Sequence, residues 1–591
     1  DLLEARTPAG HRVGELSSSS LSTATAVSAL AIVDREMNSS RFRELVRRGL
    51  EYLIGRQNPD GGWGDTDKSR SNIATTMLVR AAFRLGLPQE QASERIRRAT
   101  AYIDTQGGLD GLRRRYGKDK TFAVPILTNC ALAGLAPWRE VAPLPFELAC
   151  LPHAVLGAIR LPVVSYAIPA LVAIGQARYL HRKPLNPITR FIRGRSIPKS
   201  LEVLRRMQPE SGGFLEATPL TSFVVMSLAG TGRWDHPVVR RGVDFLVASA
   251  REDGSWPIDT NLATWVTTLA TNALAASGEA VPTESLEWLL ACQHRRVHPY
   301  TNAAPGGWAW TDLSGGVPDA DDTPGALLAL GAIRSAAPAN DAAQIDSAAA
   351  FAVGWLLNLQ NADGGWPTFC RGWGALPFDR SGVDLTAHVL RALHAWRNRL
   401  AARREDIARA IRRGREYLDR QQRPDGSWVP LWFGNQDCVN EENPVYGTAR
   451  VLLAYADLGL WGCGPARRGY FWLLRNQQPD GGWGSAATPF GEVPGHMSSV
   501  EETAVALEAL VSVWPDPAMQ PAIGQGLSWL IAAVRSGRHR ETAPIGFYFA
   551  KLWYYERLYP LIFTVAALGR AVRRMLPGLP LEVSHPDYDT A

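Results

Sequence analysis

Four copies of Gln-x-x-x-Gly-x-Trp recur in this chain: Gln57 to Trp63, Gln360 to Trp366, Gln422 to Trp428 and Gln477 to Trp483. Each follows a helix-like run in which an aromatic residue precedes Leu, as in Glu51-Tyr52-Leu53 and Gly354-Trp355-Leu356. Degenerate copies stand at Gln208 to Phe214 and Asp253-Gly-Ser-Trp256. A stretched one runs from Gln293 to Trp308, and a weak one ends at His11-Arg12 where Trp would stand. The pattern has a direct physical reading. A helix ends at the Gln, the Pro-Asp-Gly segment turns, and the Trp packs back on the helix it has just left. The Gln amide is then free to bond backbone groups at a neighbouring helix end. Repeats at a spacing of roughly 50 to 60 residues in a helical sequence restrict the fold to stacked helix pairs, an α/α barrel or a solenoid.

The second informative stretch is Asp319-Ala320-Asp321-Asp322-Thr323, followed by Pro-Gly and an apolar run from Ala326. Crowded carboxylates oppose one another's ionisation, and shielding from water lets at least one keep its proton at neutral pH. Such a proton suits a reaction that needs a strong acid in a dry place. The plain alternative is a set of solvated aspartates capping a helix.

With 591 residues there is enough chain for two or three domains, and 46% hydrophobic content is ordinary. Twenty Trp is a high number, and the repeats account for only part of it. Net charge is a mild +6 with no concentrated Lys/Arg tract, which disfavours nucleic acid as a partner. Six scattered Cys without Cys-x-x-Cys fit reduced thiols and no structural zinc. No signal peptide is visible. Between Leu144 and Gln176 only Glu147 and Arg160 are charged, four Pro interrupt, and a basic stretch from Arg178 to Lys183 follows. No Pro-free window is long enough to span a bilayer. Residues 144–183 read either as an apolar patch that dips into one leaflet or as a buried helix pair.

The repeats together with Asp-x-Asp-Asp-Thr resemble class II terpene cyclases, most closely the squalene–hopene cyclase family. The resemblance covers nearly the whole chain and is tightest from Trp256 to Pro560. It implies an all-α fold of two stacked α/α barrels of the α6–α6 type. Residues 1–35 would join the second barrel, 36–270 would form the first, inserted barrel, and 271–591 would form the second barrel with the acid motif. Asp321 would be the proton donor, with Asp319 and Asp322 flanking it. His388, in Val383-Asp-Leu-Thr-Ala-His-Val389, would bond the donor and raise its acidity as a protonated imidazole, with Asp384 behind it. An isolated His on an apolar helix is otherwise a satisfied core residue. Carbocations are stabilised by aromatic faces, which do not react with them. The matching positions are Trp265, Trp310, Phe369, Trp432, Tyr548 and Tyr166, with Tyr446, Tyr555 and Tyr559 as further candidates. Trp310 stands where the hopene cyclases have Phe, and Phe369 where they have Tyr.

Departures from other families narrow the reading. Asp437-Cys438 lack the spacing of the prenyltransferase zinc site, and Gly462-Cys463-Gly464 runs into Pro465 rather than a thioester motif. The oxidosqualene-cyclase acid motif and Asp-Asp-x-x-Asp are both absent, which disfavours an epoxide and a magnesium-bound diphosphate. At the far end, the stretches Ser22–Ala26 and Ala74–Met77 lack the family's two Glu, and Thr218-Pro219 replaces its Gln-Pro. The expectation is therefore a cyclase that protonates squalene or a similar polyprene and drives its closure to a hopanoid-like triterpene, with no metal or organic cofactor. The alternatives are a cyclase of another polyprene that forms fewer rings, and a lipid- or partner-binding repeat protein without catalysis. The expected partners are the hydrophobic substrate and a membrane surface, the protein sitting as a monotopic protein on its cytoplasmic side. A homodimer stays open.

Overall fold

The computed structural model describes residues 1–87, 93–117, 120–152, 155, 167–279, 283–369, 377–484, 498–547 and 550–576. Helices dominate, and they form two closed rings. In the first, the helix Ser20–Met37 packs on Ile73–Gly86 and on Thr218–Ala229, and Lys120–Leu132 and Ile168–His181 complete the circle. In the second, Ala263–Ser277, Asp322–Arg334, Val383–Trp396, Pro444–Asp457, Val500–Val511 and Tyr559–Met575 follow one another around, and the last closes on the first. A second layer wraps each ring. Ala339–Leu359, Arg404–Gln421, Gly464–Arg475 and Gln520–Arg535 lie outside the second.

The two layers differ in sequence for a physical reason. Inner helices are enclosed on all sides, so Val500–Val511 has every residue buried. Outer helices need one apolar stripe, and in Arg404–Gln421 only Ile407, Ala410, Gly414, Tyr417 and Leu418 are buried, at helical spacing.

The repeats join the layers. Trp366 donates its indole N–H to Leu356 O, ten residues back in the preceding outer helix, at 2.8 Å. Its backbone N–H bonds Thr386 Oγ1 in the next inner helix at 3.1 Å. The Gln360 amide bridges Gly364 O at 2.8 Å and Ala410 O of the next outer helix at 3.0 Å. Trp63, Trp256, Trp308, Trp428 and Trp483 repeat the arrangement with Thr76, Thr23, Thr323, Thr448 and Thr503. The turn itself requires glycine. Gly364 has φ +94°, and a Cβ there would stand 2.4 Å from the Arg413 carbonyl oxygen.

Trp256 bonds Thr23, so the last repeat of the first ring closes on its first helix, and strands Ser18–Ser19 and Trp256–Pro257 pair beside it. Arg12 closes the second ring in the same way. Its backbone N–H meets Thr267 Oγ1 at 2.8 Å, and its Nε reaches Leu2 O, ten residues back, at 3.0 Å. The weak copy at His11-Arg12 is thus a repeat with a guanidinium where the others have an indole. The expected 1–35 segment divides accordingly: residues 1–17 run against the second ring, Ser18–Ser19 pair at the closing repeat of the first, and Ser20–Met37 belongs to the first. Helix Ala263–Ser277 already belongs to the second ring, ahead of the expected boundary at 271.

Within 144–183 the described C-terminal part fits the buried-helix alternative. Ile168–His181 is an inner-ring helix with most residues buried, and Arg178 is buried with its Nε bonded to Val141 O at 2.9 Å. Residues 153–154 and 156–166 lie outside the described residues. Among the described residues no helix is long and apolar enough to cross a membrane.

Because each Thr accepts a buried backbone N–H, Thr448→Val should leave the Trp428 amide unpaired at almost unchanged volume. The expected loss is about 1–3 kcal/mol, read as a lower midpoint in denaturant or thermal melting.

Candidate active site

The acid loop is held from both sides before its helix begins. Asp319 N–H bonds Trp308 O at 3.0 Å, and Ala320 N–H bonds Thr368 O at 2.8 Å. Asp319 then turns its carboxyl back onto the helix start, and its Oδ1 accepts N–H from Asp321 at 2.8 Å and Asp322 at 2.7 Å. The helix-capping reading and the acid reading therefore both apply, to different residues. Asp319 is the cap, and Asp321 is left free to face the cavity.

Asp319 and Asp322 are buried and share a hydrogen bond. Burial lifts Asp319 to about 7, opposed by the hydrogen bonds it accepts from Asp322 and Asp321. Burial, reinforced by the charge of Asp319, lifts Asp322 well above the ordinary carboxyl range. Asp321 is only partly enclosed, with its side chain 17% exposed, and its Oδ1 lies 2.7 Å from His388 Nδ1.

His388 reaches the acid from the middle of Val383–Trp396. Burial pulls its pKa below the imidazole range, and Arg391 and Arg450 add to that, while Asp321 opposes it. The structure therefore favours a less basic imidazole than the protonated one expected from sequence. Asp384, one turn earlier, does not brace His388 as expected. It accepts the backbone N–H groups of Leu431 at 3.0 Å and Trp432 at 3.1 Å. Trp432 in turn donates its indole N–H to Thr368 Oγ1 at 3.0 Å, and Thr368 O holds Ala320. One chain of hydrogen bonds thus links the acid loop, the Trp432 ring and the helix that carries His388. Asp384 is raised to about 6, by burial first and then by the charge of Asp321.

Asp321 stands between two cavities of opposite character. One, of about 280 Å³, is walled by Trp265, Trp310, Phe369, Trp432, Asp319, Asp321 and Asp322 together with residues of the first ring such as Leu78, Phe122, Pro125 and Phe223. It lies between the two rings. Its described lining contains no Lys, Arg or His. The rings touch in a chain: Trp310 to Phe369 at 5.9 Å, Phe369 to Trp432 at 6.2 Å and Trp432 to Phe547 at 4.6 Å. The other cavity, about 70 Å³, runs into the second ring past His388, Asp384, Tyr446, Arg391, Arg450, Glu508 and Arg570. Its arginines are paired, Arg391 with Asp457 at 2.6 Å, and Arg450 and Arg570 with Glu508 at 3.6 and 3.2 Å.

The four expected rings at Trp265, Trp310, Phe369 and Trp432 are thus brought to the cavity that holds the acid cluster. Tyr166 and Tyr548 lie outside the described residues. Among the further candidates, Tyr559 lines this cavity and Tyr446 the polar one. Tyr555 bonds Asp67 and stacks under Lys68 instead. Sequence reasoning missed Phe378, Phe433, Phe547 and Tyr554, which also line the large cavity, and the carboxyl of Asp259. It also missed Arg391, Arg450 and Arg570. Each is an Arg flanked directly by small or apolar residues on an inner helix, and that local contrast was the available signal.

Comparison with known proteins agrees with this geometry. The squalene-hopene cyclase C-terminal domain matches residues 259–573 and the N-terminal domain residues 1–174. A terpene cyclase–glycosyl transferase fusion protein of Humicola fuscoatra is 25% identical, over 88% of this chain and 45% of its own length. The chain therefore spans less than half of that relative. A squalene–hopene cyclase of Alicyclobacillus acidocaldarius is 26% identical, over 82% of this chain and 90% of its own. The solved structure of an ent-copalyl diphosphate synthase from Streptomyces platensis superposes with a TM-score of 0.60 at 19% identity, covering 94% of this chain and 96% of that one. It shows the fold.

Raised carboxyl pKa values give stability an unusual pH slope. Asp384 is lifted to about 6, Asp319 and Glu556 to about 7 and Glu501 to about 8, each chiefly by burial. The folded state binds these protons more tightly than the unfolded chain. Their contribution is complete below the ordinary carboxyl range and is lost as pH rises through the folded values. The melting temperature should therefore fall from about pH 4 to about pH 8, each group costing up to about 1.4 kcal/mol per pH unit within its window. A flat or rising profile in scanning calorimetry would mean that these groups are ionised in the fold.

Proposed function

The chain belongs to the squalene–hopene cyclase family of class II terpene cyclases, and on that footing we propose that it protonates a terminal alkene of squalene and drives a carbocationic cyclisation to a hopanoid-like triterpene. The observation that carries the reading is the position of Asp321, where a hydrogen-bonded acid meets an apolar, aromatic-walled cavity. An alkene is a very weak base, so its acid must be strong, fixed and dry. With the proton on Nδ1, His388 donates to Asp321 Oδ1 and leaves the second oxygen to carry the reactive proton. As that proton leaves, the new carboxylate keeps the His388 bond and faces the paired arginines behind it. The cation then moves along the faces of Trp265, Trp310, Phe369 and Trp432, which stabilise it without a lone pair. Asp321 must recover a proton each turn, and the polar cavity beside it offers a path that does not cross the substrate.

A cavity lining without a described cation disfavours a diphosphate head group. The far-end departures at Thr218-Pro219 and around Ala74 favour, as the second reading, a polyprene other than squalene with fewer rings or a different termination. Incubating purified protein with squalene in detergent and identifying products by mass decides between them. Pentacyclic product supports the first reading. Turnover only of other linear polyprenes sinks it in favour of the second. Asp321→Asn should abolish turnover at an unchanged melting temperature, because the amide keeps the shape and loses the proton. Persistent activity would move the acid elsewhere.

A substrate of this kind has almost no aqueous concentration, so we also propose supply from a membrane. The support comes from a surface next to the one expected from sequence. Leu185, Ile188, Phe191 and Ile192 are exposed at the start of Pro187–Met207, with Leu151 and Val155 near by. The Arg193–Glu147 ion pair at 3.1 Å holds these segments together. Arg182, Lys183, Arg190 and Arg195 surround them, exposed. Burial of a few such side chains at about 1.5–3 kcal/mol each, with about 1 kcal/mol per nearby basic residue on anionic lipid, suffices for stable association. Leu185→Ser, Ile188→Ser and Phe191→Ser together should abolish co-sedimentation with anionic vesicles at an unchanged melting temperature. Undiminished binding would remove this surface from consideration.

A further inference from the structure

We propose that Asp259 is the positioning residue of Trp310: its carboxyl group takes the indole N–H and fixes the angle at which that ring faces the cavity. The inference rests on the reading above only in taking the Trp310 face as a cation-stabilising surface.

The backbone of Trp310 is already immobile. Its carbonyl accepts the N–H groups of Thr264 at 3.0 Å and Trp265 at 3.1 Å, at the start of Ala263–Ser277. The next residue, Thr311, bonds Asn261 Oδ1 through its hydroxyl at 2.7 Å. Further along the loop, Glu216 Oε1 accepts Gly315 N–H at 2.7 Å. What remains free is rotation of the side chain, with Phe369 on one side at a ring distance of 5.9 Å and a tilt of 54°.

Asp259 removes that freedom. It lines the same cavity wall as Trp310. Asp259 Oδ1 and Trp310 Nε1 are both sealed from solvent, and neither has a hydrogen-bond partner of good geometry as the side chains stand. A buried donor and a buried acceptor left over on one wall are expected to serve each other. Asp259 registers Trp310 as a hydrogen-bond donor, and the amides of Thr260 and Asn261 also reach its carboxyl group. Burial and the neighbouring Glu216 raise its pKa well above the usual range, so it stays neutral. A neutral carboxyl still offers its carbonyl oxygen to the indole.

The other two cavity indoles follow the same rule. Trp265 donates to Tyr559 Oη at 3.1 Å, and Trp432 to Thr368 Oγ1 at 3.0 Å. Each of the three rings is thus oriented by its own N–H. Asp259 differs in being a carboxyl group, and it has no counterpart among the residues that sequence reasoning singled out.

The test compares wild type, Asp259→Asn, Asp259→Ala, Trp310→Phe and the Asp259→Ala/Trp310→Phe double variant. Two readouts are used: product ratios from squalene by mass analysis, and the indole ¹⁵N–¹H resonance of Trp310, identified by its loss in Trp310→Phe. Asp259→Ala should raise the share of early-terminated products roughly tenfold, the scale of one buried hydrogen bond, and should shift the resonance. Asp259→Asn keeps a carbonyl oxygen and should restore both. The double variant should match Trp310→Phe, because without the indole N–H there is nothing left to position. Three results would each overturn the proposal. They are a Trp310 resonance unmoved by Asp259→Ala, an Asp259→Asn product profile as altered as that of Asp259→Ala, and an effect of Asp259→Ala that adds in full to Trp310→Phe. If wild type leaves squalene untouched, the functional reading fails alone, and the resonance comparison still decides the role of Asp259.

Discussion

A buried tryptophan that must satisfy two donors organises this molecule. The indole N–H of each repeat Trp finds a Leu carbonyl in the outer helix behind it, and its backbone N–H finds a Thr hydroxyl in the inner helix ahead. Leaving either donor unpaired in the core would cost about 1–3 kcal/mol, so the two helices cannot slide relative to each other. Applied around a ring, this fixes the height at which each inner helix starts. The connections between layers then fall at a constant level, and those of the two rings face each other. The acid loop, the Thr368 segment and the Trp432 segment are three such connections, brought to one level by Trp308, Trp366 and Trp428.

That arrangement resolves an electrostatic conflict at the acid. Three carboxyl groups in four residues would repel one another if all were ionised, and burial makes ionisation costlier still. The structure gives each a different task. Asp319 accepts two amides, Asp322 is bonded to Asp319, and Asp321 bonds His388. Asp319 and Asp322 titrate as a pair, and Asp321 presents its carboxyl to the cavity beside them. His388 at depressed basicity suits this arrangement. A strongly basic neutral imidazole would take the proton from Asp321, whereas a weakly basic one that donates from Nδ1 orients the carboxyl and leaves it an acid.

Much of the fold was legible because its signals are local. Gln-x-x-x-Gly-x-Trp specifies a helix end, a turn and a return contact within seven residues, and even the weak copy at Arg12 proved to obey the same bonding. The acid cluster and His388 were legible through their resemblance to a family, since nothing in spacing alone joins positions 321 and 388. Other parts were illegible for physical reasons. Phe378, Phe433 and Phe547 lie on connections between helices, where no periodicity shows which side chains meet the cavity, so they could not be separated from core. The apolar, Pro-interrupted run after Leu144 looks the same whether lipid or protein covers it. For Ile168–His181 protein does, and exposed apolar residues cluster just beyond it at Leu185, Ile188, Phe191 and Ile192. Asp259 could not be found because its significance depends on Trp310, 51 positions away.

A cavity meant to carry a cation faces a constraint beyond stabilisation, because any free lone pair within reach ends the reaction. Carboxylates, hydroxyls and imidazoles all qualify, and this wall contains several. Their bonding answers the problem case by case. Thr368 Oγ1 is tied up by the Trp432 indole, and Tyr559 Oη by the Trp265 indole. Asp319 and Asp322 hold each other. Asp259 stays neutral and faces an N–H, so the one carboxyl group away from the acid end is also the one least able to attack. Several polar groups of the wall are thus occupied in orienting the aromatic faces left to meet the charge, while Asp322 Oδ1 is buried without a partner. Wherever that pairing lapses along the wall, the cascade has a place to stop.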